Sequence, residues 1–228
     1  MWKKIKSITL KIILCFLGLS ILSTILFRFV PIPITPLMII RCVEQKTNGK
    51  EMKLKKDWIS IHEMSPTMPL AVIAAEDQKF EDHFGFDLEA IKKADTYNER
   101  HKGKRLKGAS TISQQTAKNV FLWPSRSWIR KGFEVYFTFL IEVFWSKKRI
   151  LEVYLNVIET GDGIYGVEAA SQVYFKKPAK RLTIRETALI TAILPGPLKW
   201  NPATPTPYIG RKAQRIVKFM GQLEPIDF

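Results

Sequence analysis

Residues Ile12 to Val30 form a run of 19 that is apolar except for serines, a threonine, a glycine and Arg28. A helix of about 20 such residues crosses a bilayer, so this segment has to be assigned before anything else is treated as a globular domain. Lys3, Lys4, Lys6 and Lys11 precede the run without an acid, and Pro31, Pro33 and Pro36 follow it closely. The positive-inside tendency then leaves the N-terminus in the cytoplasm and the remainder outside, with the prolines ending the helix. Arg28 is near enough to the outer end to snorkel to the headgroups. A cleaved signal peptide competes, but it has a shorter apolar core and small residues at its cut site. Here the core leads into PIPITPLMII, which favours a retained anchor. The expected organisation is a basic tail (1–11), an anchor (12–30), a juxtamembrane linker (31–65) and one domain (66–228).

The chain has 36 Lys and Arg against 21 Asp and Glu, a net +15. Such a charge selects polyanionic partners: nucleic acid, anionic lipid headgroups or phosphorylated substrates. Nucleic acid is set aside because the expected topology puts the basic domain on the wrong side of the membrane. Cys15 in the span and Cys42 beyond it are too far apart along a helix to pair. His62, His83 and His101 lack ligand spacing, so no structural metal is expected.

The region after the anchor is mainly helical in pattern, with scarce strand alternation and no internal repeat. Pro69 can open a helix through Phe80, Asp87 can cap LEAIKKA, and Ser110 can cap TISQQTAKNVFL. A longer helix is expected from about Ser127 to Trp145, and Ser146 can start the next. Thr183-Ile-Arg-Glu186 is a capping box, its helix stopped by the prolines of PGP at 195–197, and a last helix lies near the C-terminus. Arg100–Gly108 and the glycine-containing Glu159–Gly166 have the composition of mobile loops.

Three segments carry chemistry. Residues 76 to 89 hold six acids and only Lys79, an island of −5 in a basic chain. On a helix Glu76 shares a face with Val72, Ile73, Phe80 and, if the helix lasts, His83. A carboxylate on an apolar face loses hydration and becomes a better proton acceptor, as a general base requires, although a buried structural Glu fits equally. Asp77 points elsewhere and can orient a basic neighbour. In the second segment Thr111, Gln115 and Lys118 recur at i, i+4 and i+7 as a polar stripe able to bond a sugar and a phosphate, or simply to face water. In the third, Arg126, Arg130 and Lys131 come just before Glu134, itself set among Phe133, Val135, Tyr136, Phe137 and Phe139. An Arg130–Glu134 surface pair would contribute only tenths of a kcal/mol. An acid amid so much apolar surface, however, needs a charged partner or a function. Two acids and a cluster of cations outside a membrane suit transfer at a carbon bearing a phosphate leaving group. The aromatic run could dip into the outer leaflet beside the anchor or serve as core.

Glu76-Asp77-x-x-Phe80-x-x-His83-x-Gly85, Gly108-x-Ser110-Thr111-Ile112-x-Gln114-Gln115-x-x-Lys118-Asn119, Arg130-Lys131-x-x-Glu134, Ile150-Leu151-Glu152-x-Tyr154-Leu155-Asn156 and Gly163-Ile164-Tyr165-Gly166-Val167-x-Ala169-Ala170 occur in that order between Ala71 and Asn201. This succession resembles the motifs of the family 51 peptidoglycan glycosyltransferases. The resemblance implies a mainly α, lysozyme-like glycosyltransferase domain with a membrane-facing lobe, preceded by one transmembrane helix. It implies polymerisation of lipid II into β-1,4 glycan, with inversion and release of undecaprenyl pyrophosphate, by a domain on the periplasmic face of the bacterial inner membrane.

Carried over by position, Glu76 would be the general base and Glu134 the second essential acid, either assisting the leaving group or ordering the basic side chains. Lys118 and Arg126 would clamp the pyrophosphate. Asp77, Phe80, His83, Thr111, Gln115, Asn119, Arg130 and Lys131 would support substrate binding. No cofactor is required, and a Mg or Mn ion is left open. The implied partners are lipid II, the growing strand, the anionic membrane surface and cell-wall synthesis proteins. Ser-x-x-Lys is absent, the Lys-Thr at 46–47 continues with Asn, and no length remains for a second domain, so transpeptidation is not expected. A lysozyme-like muramidase would use a similar Glu as a general acid with water as acceptor, without gain from a phosphate clamp.

Overall fold

The computed structural model describes residues 2–101, 107–125 and 127–223. Helix α1 (Trp2–Phe29) contains the apolar run and is long and apolar enough to cross a membrane. The domain is helical, and the arrangement turns on α3 (Thr67–Glu76). Its residues are apolar on every side: Met68, Val72 and Ile73 join the main core, while Ala71 and Ala74 join a second cluster. A helix apolar all round has to be buried all round. The second cluster is supplied by α9 (Ile184–Ile193) and by α10 (Pro207–Met220), whose Ile209, Ala213, Ile216 and Met220 form one buried stripe. The main core is built from α5 (Ile112–Phe121), α6 (Trp128–Phe144), α7 (Lys147–Val157) and α8 (Val167–Phe175). Buried Ile, Leu and aromatic side chains of this kind contribute about 1.5–3 kcal/mol each. Helix α3 thus lies between two packed clusters, with its C-terminal residue Glu76 at their junction.

Local signals account for most helix starts. Asp87 accepts from the Ala90 amide at 2.8 Å and opens α4 (Leu88–Arg100). Ser127 and Ser146 cap α6 and α7, and Thr183 with Glu186 forms the expected capping box of α9. Two boundaries differ from expectation. The cap of α5 is Thr111 rather than Ser110, because Gln114 at the third helical position reciprocates with the Thr111 amide. Helix α3 ends at Glu76 rather than Phe80, so Phe80 reaches the core from the turn that follows.

The segment 159–166, expected to be a mobile loop, is a buried hairpin. Strand β2 (Glu159–Gly161) pairs antiparallel with β3 (Ile164–Tyr165), and β1 (Lys55–Lys56) adds to β3 in parallel. Its glycines serve close approach: a Cβ on Gly161 would lie 2.1 Å from the Tyr174 hydroxyl, and one on Gly163 (φ 69°) 2.3 Å from the Lys53 carbonyl. Of the other expected loop, residues 102–106 lie outside the described residues.

The expected linker 31–65 is drawn into the domain. Ile32, Met38, Ile61 and Met64 are core residues, and α2 (Pro36–Thr47), capped by Thr35, packs against α5. The end of α1 is fastened as well. Arg149 of α7 donates from Nε and Nη2 to the Phe27 carbonyl at 3.1 and 2.8 Å and from Nη2 to the Val30 carbonyl. Trp145 Nε1 donates to Thr24 O at 2.7 Å, and Lys56 Nζ to Ile32 O at 2.7 Å. The last carbonyls of a helix have no partner within it, and Arg149 supplies one to Phe27. Replacing Arg149 by Met also removes the ion-pair partner of Glu152, leaving that carboxylate only the Ile61 amide. Arg149→Met should therefore lose about 3 kcal/mol of stability in thermal unfolding of the detergent-solubilised chain; equal midpoints for variant and wild type would contradict the clamp.

Candidate active site

The chain leaves α3 at Asp77, whose side chain is buried and uses both oxygens. Oδ1 lies 2.8 Å from His83 Nε2, and Oδ2 accepts from the Ile112 amide at 3.0 Å. Ile112 is the first residue of α5, so the carboxylate meets the positive end of that helix. Burial pushes the Asp77 carboxyl above its usual range, and His83, the Ile112 amide and Lys147 oppose that shift. The turn is held further by Thr111 Oγ1, which donates to Gly85 O at 2.7 Å. Gly85 has φ 77°, and a Cβ there would lie 2.8 Å from Thr138 Cγ2. Lys147 Nζ donates to His83 O at 2.6 Å and to Glu142, and sits 4.7 Å from the centre of the buried Phe80 ring. Asp77, Phe80, His83 and Thr111 thus come together as a support: their contacts hold the turn that follows α3 against the start of α5.

Glu76 is half-buried, and its neighbour is polar rather than the apolar face expected. Oε2 accepts from Gln115 Nε2 at 2.9 Å, and Gln115 Oε1 accepts from the Tyr154 hydroxyl at 3.3 Å. Tyr154 is fully buried on α7. Burial, and then the nearby Glu76, holds its phenol well above the ordinary range, so it remains a donor. A fixed donor at Tyr154 turns the Gln115 amide oxygen towards itself and the amide nitrogen towards Glu76. The sequence does not reveal Tyr154 as a partner, since its motif position is that of an apolar core helix. Also missed is Lys212 of α10, which donates to Ala192 O at 2.9 Å. Burial lowers its pKa, and the field of Glu76 opposes that.

Glu134 lies one turn into α6 with 3% exposure and is gripped by Arg130 at one oxygen and Lys131 at the other. The pair is buried rather than at the surface. Lys118 lies largely buried on α5. Burial lowers its pKa, Glu134 and then Glu76 raise it, and Arg130 and Lys131 lower it. The ammonium thus lies within the fields of both acids. The Thr111–Gln115–Lys118 stripe faces inward, to the support, to Glu76 and to this cation cluster.

Two openings flank the relay. Gln115, Lys118, Asn119 and Arg130 border a cavity of about 560 Å³, and Glu76, Asp77 and Thr111 border another of about 380 Å³. Asn119 is 4% exposed, and neither its Nδ2 nor Arg130 Nε has an acceptor among the described residues. A buried donor left unpaired costs about 1–3 kcal/mol. Arg126, expected in the clamp, lies outside the described residues.

Comparisons with known proteins give the class to which this helical domain belongs. A family model described as Transglycosylase matches residues 44–221. The chain belongs to the transglycosylase family and is a glycosyltransferase of peptidoglycan synthesis. Similar curated proteins are named biosynthetic peptidoglycan transglycosylase. That of Bacteroides thetaiotaomicron is 51% identical over 218 residues, covering 96% of this chain and 87% of the relative. That of Mannheimia succiniciproducens is 55% identical over 213 residues, covering 91% and 85%. That of Bdellovibrio bacteriovorus is 50% identical over 216 residues, covering 95% and 86%.

The lowered pKa of Lys118 has a stability consequence. The unfolded chain binds this proton more tightly than the folded one, so the group destabilises the fold at neutral pH, and the penalty fades as pH rises towards the ordinary lysine range. Lys118→Met should therefore unfold at a higher temperature at pH 7 while losing glycan synthesis. A less stable variant with full activity would contradict both the burial argument and the assigned role.

Proposed function

We propose that this transglycosylase polymerises lipid II into β-1,4 glycan with inversion and release of undecaprenyl pyrophosphate, and carries out no transpeptidation. The observation that carries the proposal is the Tyr154–Gln115–Glu76 relay, which bonds one carboxylate to Gln115, a residue that lines a cavity together with Lys118, Asn119 and Arg130. Glu76 accepts the proton of the acceptor 4-hydroxyl as its oxygen attacks the donor anomeric carbon. The bond from that carbon to the phosphate oxygen breaks, and the pyrophosphate departs with the electron pair. Lys118, with Arg126, offsets the charge that develops there. Glu134, with each oxygen facing a cation, acts by ordering Arg130 and Lys131 rather than by giving a proton to the leaving group. One displacement inverts the centre without a covalent glycosyl-enzyme, and the scheme requires no cofactor.

The same topology as in the sequence is proposed: N-terminus cytoplasmic, catalytic domain periplasmic, one crossing of the inner membrane. Support comes from α1 and from the exposed Trp128, Ile129, Val135, Phe139 and Val143 of α6, which suit contact with the outer leaflet. Cell-wall synthesis proteins remain proposed partners. A muramidase would need a protonated acid and water, and would have no use for buried cations beside its Glu.

Glu76→Gln keeps the Gln115 contact and the fold but removes the base. It should lower the lipid II polymerisation rate by at least about 10²-fold with an unchanged unfolding midpoint. Near-normal polymerisation by the folded variant would remove Glu76 from this role, and release of soluble muropeptides from finished glycan without polymerisation would favour the muramidase.

A further inference from the structure

The wall of the larger cavity opposite Lys118 is formed by α2, from the segment that joins the anchor to the domain. Arg41 on this helix lines the cavity together with Glu159 of β2. Its Nε donates to Glu159 Oε1 at 3.0 Å and Nη2 to Glu159 Oε2 at 3.3 Å, while Nη1 donates to Glu44 at 2.9 Å. Glu159 is 7% exposed, and burial raises its pKa against the opposing effect of Arg41. The fork therefore fixes the guanidinium plane. A guanidinium has five N–H donors, and these contacts use three, leaving one hydrogen on each terminal nitrogen. Asn119 and Arg130, whose Nδ2 and Nε lack acceptors among the described residues, also line this cavity, although those two atoms are themselves closed off from it. The remaining wall includes apolar Leu37, Leu122 and Trp123. Leu37 lies seven residues after Val30, the last residue of the apolar run, so this wall stands where the chain leaves the bilayer.

From this juxtaposition we infer that Arg41 is a diphosphate-binding residue of the donor site, and that α2 forms the wall receiving the first units of the attached lipid beside it. The inference rests on the proposed donor chemistry and extends it to a residue outside the motifs. The pair with Glu159 pre-sets the guanidinium plane, so little side-chain freedom is lost when phosphate oxygens meet its two spare hydrogens. An isoprenoid diphosphate suits the mixed wall, because the charge meets Arg41, Lys118 and Arg130 while the adjoining chain meets Leu37, Leu122 and Trp123.

Arg41→Gln retains a donor towards Glu159 and removes the charge. Arg41→Gln/Glu159→Gln removes both charges and keeps an amide pair able to hold α2. Binding of inorganic pyrophosphate and of farnesyl diphosphate to the full chain in detergent would be measured by calorimetry, with lipid II KM and kcat measured in parallel. Both variants should bind farnesyl diphosphate about tenfold more weakly and raise the lipid II KM by a similar factor, with kcat within about twofold of wild type. Farnesyl diphosphate should bind wild type more tightly than inorganic pyrophosphate does; equal affinities would overturn the lipid wall. Unchanged binding by Arg41→Gln, or wild-type binding restored in the double variant, would overturn the role of Arg41, the latter showing that it merely offsets Glu159. Should wild type bind the prenyl diphosphate and lose affinity in both variants without polymerising lipid II, the assigned polymerisation fails while the binding wall stands.

Discussion

The Asp77 carboxylate is the contact on which the site's geometry depends. By bonding His83 on one side and the first amide of α5 on the other, it joins the end of α3 to the start of α5. Glu76 is the residue before it, and Gln115, Lys118 and Asn119 lie along the helix whose first amide it accepts from. Burying a carboxylate is costly unless its oxygens are engaged, and here both are. This junction, with the Gln115–Glu76 bond, sets the distance between the proposed base and the cations proposed to face the leaving group. The apolar α3 fixes the other coordinate: packed between two clusters, it cannot slide or rotate without exposing Ala71 and Ala74 on one side or Met68 and Val72 on the other.

The cations illustrate a balance between stability and use. Lys118, Arg130 and Lys131 crowd around the single carboxylate of Glu134, leaving excess positive charge in a partly dry region. Such a cluster is unfavourable in isolation and becomes favourable only when an anion arrives. Asn119 Nδ2 and Arg130 Nε, without acceptors among the described residues, add to that cost. A preorganised site of this kind avoids reorientation during the reaction, and the cost is carried by the folded protein beforehand.

Much of the fold was legible because helix caps are local. Asp87, Ser127, Ser146 and the Thr183–Glu186 box each act within three residues, so their chemistry can be inferred from neighbours in the chain. Contacts across long separations were not legible. The 159–166 hairpin has the glycine content of a loose turn, and only the close approach of Lys53 and Tyr174 explains those glycines. Residues 31–65 look like a tether, yet Ile32 and Met38 are fully buried and Arg41 reaches Glu159. Glu76 and Glu134 were identifiable as unusual acids. Their partners were only half so: Arg130 and Lys131 are one turn from Glu134, whereas Gln115 and Tyr154 reach Glu76 from 39 residues further along and from a relay of that same span.

In the proposed reaction the carboxylate and the cations serve one displacement, with glycan bond formation and diphosphate departure in the same event. The most direct test is ³¹P NMR of lipid II turned over by the full chain in detergent, with glycan bonds counted in parallel on the same sample. The account predicts one released polyprenyl diphosphate for each β-1,4 bond formed, with no phosphate-free disaccharide. Disaccharide released to water, or glycan bonds formed without matching diphosphate, would contradict it.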